Sequence, residues 1–468
     1  MVKTAKKSRM MTEGNIWKHL LFFAIPLLIG NLFQQLYNTV DSIVVGNFVG
    51  KEALAAVGTT DNVINTIIGF FMGMSTGAGV IISHYFGAKN EEGVHKAVHT
   101  TIALTIIMSI LFSILGVLLV PTMLRVMKTP DDVIGQSSVY LRIYFAGSAG
   151  LMFYNMGSGI LRAVGDSKRP LYFLIFSALL NTVLDILFVA IFHMGVAGVA
   201  IATIIAQGIS AILVMITLTK EKDSYRIIWK KVRIYKKMLG KIFSVGFPVA
   251  IQQAVTSFSN VFVQSYINDF GSACMAGWSS YGKIDKFCML PMQTVALSVT
   301  TFVGQNLGSG NLKRAKKGTN VALVMSISIS VIMMIPILIF APSLVRLFNQ
   351  DPDVVSYGSM FLRFMMPFFA FCCINQVYAG TLRGAGNATA PTIILMSCFI
   401  VFRQIYLFIV SHLFGTIKIV AFAYPAGWLV CSVVMLIYYH FSHWEKRSLV
   451  LNQSMESQNT PLEEQKSS

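Results

Sequence analysis

Residues 101–120 read TIALTIIMSILFSILGVLLV, which is twenty consecutive positions without a charged side chain. A helix needs about 20 mostly apolar residues to cross the hydrocarbon core of a bilayer. The run is continuous rather than alternating, so it predicts a membrane-spanning helix and not a barrel strand. Twelve such runs occur along the chain: 16–44, 53–82, 96–121, 133–160, 170–193, 195–219, 239–266, 276–305, 318–342, 354–381, 391–413 and 418–442. The predicted fold is an all-α integral membrane protein with twelve transmembrane helices.

The composition of the chain agrees with a lipid environment. Of the 468 residues 55% are hydrophobic and only 12% are charged, whereas about 25% are charged in soluble proteins. Lys and Arg concentrate at both termini and in the loops that share their side, which places both termini in the cytoplasm and the protein in the cell membrane. This bias accounts for most of the net charge of +17. We therefore expect no nucleic-acid partner.

The N-terminal segment and the cysteines each lead to a simple prediction. Basic residues at 3–9 and the apolar run from Leu20 resemble a secretory signal, but no small-x-small cleavage site follows. We expect a retained first helix. The six cysteines lie mostly in apolar runs without metal-binding spacing, so we expect buried hydrophobic side chains and no cofactor.

The two halves of the chain repeat each other. Pro121 and Pro342 lie 221 residues apart, and at the same offset GILRAVGDSKRP (159–170) and GTLRGAGNATAP (380–391) share Gly, Leu, Arg, Gly and Pro. We interpret these turns as structural: Gly ends one helix, and Pro begins the next. An even number of helices separates the matched elements, so the halves are two six-helix bundles in parallel orientation, an arrangement typical of alternating-access transporters. The predicted organisation is a cytoplasmic tail (1–15), an N-lobe (16–219), a basic linker suited to an interfacial helix (220–238), a C-lobe (239–443) and a second cytoplasmic tail (444–468).

Polar residues inside the first six predicted helices form the candidate site. Asp41 lies on the first helix, Asn181 and Asp185 lie four residues apart on the fifth, and Thr203 lies on the sixth. A carboxylate within a membrane helix is costly and needs a reason. Carboxylates, an amide and a hydroxyl can bind a monovalent cation such as Na⁺, share a proton, or simply join helices by hydrogen bonds. Two further residues share the helical face of Asp41: Gln34 and Asn38.

Three charged residues in apolar runs lie outside this cluster and are cavity candidates. Asp61 and Asp285 lie in the outer parts of the second and eighth predicted helices. Each can line a solvated cavity, form a local ion pair or take part in ion coupling. Arg403 lies deep in the second half, with a structural or a substrate-facing role open. The second half carries no carboxylates at the positions equivalent to Asp41 and Asp185.

The motifs of the chain resemble those of the multidrug and toxic compound extrusion (MATE) transporters over residues 14–445. The motifs are IPLLIGNLFQQLYNTVDSIVVGNFVGKEALAAVG (25–58), SHYFGAKN (83–90), LRAVGDSKRP (161–170), FVGQNLGSGN (302–311) and LRGAGNATAP (382–391). The resemblance implies two six-helix lobes around a central cavity and drug export driven by inward flow of Na⁺ or H⁺. Carried over by position, it places the N-lobe cation or proton site at Asp41, Asn181, Asp185 and Thr203, and it associates Pro26 with a bend in the first helix.

One departure from the family pattern concerns the C-lobe. NorM-like members carry acidic residues on helices 7 and 10, whereas the corresponding helices here, within 239–266 and 354–381, carry no carboxylate at the equivalent positions. The resemblance therefore favours a DinF-like mechanism with coupling in the N-lobe.

The predicted function is secondary active multidrug efflux. The protein is expected to act as a monomer, in contact with membrane lipid, and to export lipophilic or cationic small molecules in exchange for Na⁺ or H⁺. The alternative is a flippase for lipid or lipid-linked oligosaccharide of the same superfamily, but the few internal Arg and Lys residues argue against it. An enzyme is not expected, because no HExxH motif, nucleophile constellation or phosphate loop is present.

Overall fold

The computed structural model describes residues 10–127, 129–413 and 415–447, without several side chains in 51–62 and 257–262 and those of 446–447. The predicted tails, 1–15 and 444–468, lie partly outside these ranges. The helices of the first half are α1 (Ile16–Phe48), α2 (Lys51–Gly87), α3 (Glu91–Val126), α4 (Asp131–Ala146), α5 (Ser148–Ala163), α6 (Lys168–Asp185), which continues as a π-helical segment (Ile186–Ile191), and α7 (Gly195–Lys220).

The second half repeats this order of elements. Its helices are α8 (Lys236–Asn268), α9 (Ser272–Gly308), α10 (Leu312–Ile339), α11 (Ala341–Arg346), α12 (Pro352–Met365), α13 (Phe369–Gly384), α14 (Thr389–Met396), α15 (Arg403–Leu413), α16 (Ile417–Ala421) and α17 (Ala423–Phe441). A 3₁₀ segment (Met366–Phe368) joins α12 to α13, and a π-helical segment (Ser397–Phe402) joins α14 to α15. Both ends of α9 lie 221 residues after those of α2, so the repeat extends to the helix boundaries.

Eleven helical stretches among the described residues are long and apolar enough to cross a membrane. The twelfth predicted run, 133–160, is divided at Gly147 into α4 and α5, each 16 residues long. The two consecutive helices together cover the predicted span. The all-α membrane fold of the prediction is confirmed.

The contacts between helices divide the chain into two compact units. The first unit contains Pro26–Ala250, and the second contains Met10–Ile25 and Ile251 onward. The boundaries between these units lie within α1 and α8 and not in the predicted linker 220–238. The predicted lobes were defined by a different criterion, the sequence repeat. Each unit has its own apolar core. All six cysteines are free and buried.

The repeated turns have a structural role in each unit. Gly165 and Gly386 have φ angles of 88° and 87°, a conformation that glycine adopts without a steric penalty. The residue after each glycine bonds to the first turn of the next helix. The side chain of Asp166 accepts from the backbone N–H of Arg169, and the side chain of Asn387 accepts from the backbone N–H of Ala390. The interpretation that these turns end one helix and begin the next is confirmed.

The basic linker is not the predicted interfacial helix. Between the end of α7 at Lys220 and the start of α8 at Lys236, only the 3₁₀ segment Trp229–Lys231 is helical. Its backbone is bonded to the first unit instead: Ile227 N–H donates to the carbonyl of Leu218 at 3.0 Å, and Ile228 N–H donates to His99 Nε2 at 3.0 Å. These tertiary hydrogen bonds replace the local ones that a helix requires.

An ion-pair cluster also anchors the linker. Arg169 pairs with Asp166 and, at 2.6 Å, with Glu221, and it donates to the hydroxyl of Tyr225 at 3.3 Å. Burial raises the pKa of Tyr225 to about 12, against the opposing effect of this hydrogen bond. The phenol therefore stays protonated at physiological pH.

Candidate functional site

The structure brings the predicted polar cluster together inside the first unit. Asp41 of α1 is 8% exposed, Asn181 and Asp185 of α6 are 1% and 0% exposed, and Thr203 of α7 is 2% exposed. Asp185 is the last residue of α6 before the π-helical segment Ile186–Ile191, a type of distortion that occurs frequently at functional sites. Four polar side chains from three helices thus share one buried region.

Asn181 bridges the two carboxyl groups. With its amide nitrogen facing them, it donates to Asp41 Oδ1 at 2.9 Å and to Asp185 Oδ2 at 3.2 Å. Both oxygens approach the same amide nitrogen, so the carboxyl groups of Asp41 and Asp185 are close neighbours. Two carboxyl groups can hydrogen-bond to each other only when a proton lies between them, so this arrangement suits the sharing of one proton.

The same cluster has free capacity for a ligand. Asp185 Oδ1 is buried and accepts no hydrogen bond among the described residues. A buried polar oxygen without a partner is costly and is usually explained by an ion, a water molecule or a proton. The Thr203 hydroxyl, in contrast, donates to the carbonyl of Val199 at 3.0 Å. A monovalent cation would find carboxylate and hydroxyl oxygens here, which are ligands suited to Na⁺.

Three tyrosines next to the cluster were not identified from the sequence. Tyr37 of α1 lies beside Thr203, near Asp41 and near the phenols of Tyr140 and Tyr144. The rings of Tyr140 and Tyr144, both on α4, stack with centroids 6.3 Å apart. Tyr37 precedes Asp41 by four residues, so the helical spacing alone contained a signal for its position.

Gln34 and Asn38 occupy different surroundings. Gln34 and Asn181 line a narrow cavity of about 90 Å³ within the first unit. The same cavity is lined by Pro26 of α1 and, near the α5–α6 turn, by Arg162. Such a volume holds a few water molecules or a cation, whereas pockets for drug-sized ligands measure about 300–1,000 Å³. Asn38 is exposed, and its backbone carbonyl accepts a hydrogen bond from Ser42 Oγ.

The three cavity candidates lie outside this cluster. The side chain of Asp61 lies outside the described residues. Asp285 of α9 accepts a hydrogen bond from the hydroxyl of Tyr281 at 3.0 Å and makes no ion pair within the described part of the chain. Arg403, 4% exposed, donates to Ser259 Oγ at 2.7 Å and stacks on the ring of Tyr424 at 4.7 Å.

A multi-ligand metal centre is not found in this part of the molecule. No group of three or more His, Cys, Asp or Glu side chains that could hold a metal ion occurs within residues 10–127, 129–413 and 415–447. Any cation at the cluster would therefore bind through two carboxylates together with hydroxyl or water oxygens.

Comparison with known families gives two matches along the chain. The family model described as MatE matches residues 26–187 and again residues 248–409. Both ends of the second match are displaced by the same 222 residues, which confirms the internal repeat.

Individual relatives extend over nearly the whole chain. "Probable multidrug resistance protein YpnP" of Bacillus subtilis is 30% identical over 438 residues, covering 94% of this chain and 98% of the relative. "Probable multidrug resistance protein YoeA" of the same organism is 28% identical, covering 95% and 97%. The outward-facing structure of a multidrug resistance transporter of the MOP superfamily is similar with a TM-score of 0.87 and 25% identity, covering 95% of this chain and 100% of that one.

Proposed function

Because the chain belongs to the MATE family of transporters, we propose that it is a secondary active multidrug efflux transporter that exchanges lipophilic or cationic small molecules for Na⁺ or H⁺. Family membership confirms the resemblance found in the motifs and the expectation that the chain is not an enzyme. The names of YpnP and YoeA support drugs as the substrate class. The DinF-like assignment stays a prediction.

The observation that carries the coupling proposal is the bridge from Asn181 to Asp41 and Asp185. In this proposal the two carboxyl groups take up one cation, either H⁺ or Na⁺. Uptake neutralises buried negative charge and lowers the affinity for the bound drug, and release of the cation on the cytoplasmic side restores the drug-binding state. Binding of the cation and of the drug then exclude each other, which is the requirement for antiport.

The energy available to this cycle is modest but sufficient. One elementary charge that crosses a potential of about 100 mV releases about 2.3 kcal/mol. This supports a drug gradient of roughly 50-fold when one net charge moves for each drug molecule. If a monovalent cationic drug leaves as one cation enters, the membrane potential contributes nothing and the gradient depends on the ion concentrations.

The remaining parts of the proposal concern the cellular setting. We propose that the protein resides in the plasma membrane with both termini in the cytoplasm, because Lys and Arg concentrate on one side of the predicted topology. We further propose that it acts as a monomer and needs no cofactor besides the coupling ion.

The test is dye efflux from everted membrane vesicles under a Na⁺ gradient and, separately, a pH gradient. Asp41→Asn and Asp185→Asn should abolish gradient-driven transport while dye binding is retained, and the gradient that drives the wild type identifies the ion. Asp269→Asn, the same change at an exposed residue, is the matched control and should transport normally. Undiminished efflux in a well-expressed Asp41→Asn variant would refute the coupling site, and no dye transport by the wild type under either gradient would refute drug antiport.

A further inference from the structure

A second feature of the first unit, remote from the polar cluster, is an apolar groove at the carboxyl end of α7. Its walls are formed by Phe153 of α5, by Ile212 and Ile216 of α7, and by Trp229 of the linker. Ile212 is 58% exposed, Ile216 44% and Trp229 49%. The groove is therefore an open, apolar trough on the surface of the unit and not part of its core.

The groove is built on a tightly packed helix pair. Gly157 of α5 faces Val214 and Met215 of α7 so closely that a Cβ atom at Gly157 would lie 2.3 Å from Val214 Cγ1 and 2.6 Å from Met215 Cε. This contact fixes the spacing of the two helices on either side of the trough. The shape of the groove is consequently set by the backbone packing.

The linker closes one end of the groove at a defined position. Trp229 Nε1 donates to Thr219 Oγ1 at 3.2 Å, and Arg226 Nε donates to the carbonyl of Thr219 at 3.2 Å. Together with the backbone bond from Ile227 to Leu218, these contacts hold the indole against the last turn of α7. Tryptophan prefers the boundary between hydrocarbon and headgroups, so this end of the groove lies at the level of the lipid headgroups.

The closed end of the groove carries unpaired positive charge. Lys220 lines it and Lys230 follows Trp229, and both are exposed. Within the described residues neither lysine makes an ion pair. Glu221, which follows Lys220 in the chain, is bound to Arg169 at 2.6 Å instead. The surrounding stretch 220–241 contains nine Lys and Arg against two acidic residues. An apolar trough that ends in unpaired lysines is complementary to a molecule with a long hydrocarbon chain and an anionic head.

We propose that this groove binds an anionic phospholipid of the surrounding bilayer. One acyl chain lies along Ile212 and Ile216, and the phosphate group lies between Lys220 and Lys230 beside Trp229. A zwitterionic lipid can fill the same trough but leaves the positive charge of the lysines uncompensated. The groove is therefore selective for lipid charge, in the way that basic pockets at the membrane surface select anionic headgroups.

The test uses the full-length protein in phosphatidylcholine nanodiscs that contain increasing fractions of phosphatidylglycerol. Bromine atoms on the acyl chains of either lipid quench a nearby indole, and the difference between wild type and Trp229→Phe isolates the signal of Trp229. Brominated phosphatidylglycerol should reach half-maximal quenching at a mole fraction roughly 30-fold lower than brominated phosphatidylcholine, because each of the two lysines contributes an attraction that corresponds to about fivefold in affinity.

Two double variants separate a defined site from general attraction to the basic linker. Lys220→Gln with Lys230→Gln should remove the preference for phosphatidylglycerol. Lys236→Gln with Lys237→Gln removes the same charge from exposed positions of the same segment and should retain it. Equal quenching by both lipids in the wild type, or an equal loss of preference in both double variants, would overturn the proposal. The measurement does not depend on transport, so its outcome is independent of the proposed antiport.

Discussion

Replacement of Asn181 by leucine tests the geometry on which the proposed coupling site depends. The side chain is 1% exposed, and its amide donates at 2.9 Å to Asp41 and at 3.2 Å to Asp185. Leucine keeps a similar volume but removes both donors. A hydrogen bond to a charged group contributes about 1.5–3 kcal/mol in soluble proteins, whereas couplings in a helical membrane protein average about 0.6 and reach about 1.7 kcal/mol. We therefore expect Asn181→Leu to lower the free energy of unfolding by about 1–3 kcal/mol.

The assay is a double-mutant cycle measured by unfolding in mixed detergent micelles. Asn181→Leu is combined with Asp41→Asn, which removes the charge of one acceptor. In the Asp41→Asn background the cost of Asn181→Leu should fall by about 1 kcal/mol, because the 2.9 Å bond no longer involves a carboxylate. The control cycle combines Asn181→Leu with Asp269→Asn at an exposed position and should be additive.

Additivity in the Asp41 cycle would refute this reasoning. Distant substitutions add within about 0.3–0.5 kcal/mol, so a coupling inside that range means that Asn181 and Asp41 do not interact. The bridge between the two carboxyl groups would then be absent, and the coupling proposal would lose the observation that carries it. A coupling of the expected size in both cycles would point instead to a general loosening of the first unit.

Three further predictions concern packing and accessibility. Gly157→Ala places a methyl group 2.3 Å from Val214 Cγ1 and should cost about 1–3 kcal/mol, whereas Gly135→Ala on α4 meets nothing within 4 Å and should be neutral or slightly stabilising; thermal unfolding of the pair checks this. Asn311→Ala removes the side-chain cap from the backbone N–H of Arg314 and should cost about 1 kcal/mol, while Asn311→Asp should retain most of the stability in the same measurement. A maleimide should leave the six buried cysteines of the folded protein unmodified and label all of them after denaturation, and rapid labelling of the folded protein would contradict their burial.

The helical fold was predictable because its signals are local and repeated. Apolar runs give the spans, and the 221-residue repeat fixes equivalent helix ends, such as the Asn90 and Asn311 caps of α3 and α10. The linker was not predictable in the same way. Its backbone is held by partners distant in sequence, such as His99 bonded to Ile228, and hydropathy contains no information on such contacts.

The site was predictable to the extent that one helix determines it. Asp41 and Gln34 are seven residues apart, and the rotation of a helix separates them by only about 20° around the axis. Asn38 precedes Asp41 by three residues and lies about 60° away, whereas Tyr37 precedes it by four and lies about 40° away on the opposite side. Which of the two sides is covered depends on the other helices, and in the structure Tyr37 lies near Thr203 of α7 and the tyrosines of α4, whereas Asn38 is exposed.

The two units place different chemistry on equivalent scaffolds. The first unit buries a carboxyl pair bridged by Asn181, whereas the corresponding region of the second buries Arg403, which is held by Ser259 and stacked on Tyr424. A buried guanidinium repels a second cation, so a site for Na⁺ or H⁺ is disfavoured around it. Asp285 in the second unit already accepts a hydrogen bond from Tyr281 on its own helix. The asymmetry therefore supports the proposal that the coupling site lies in the first unit.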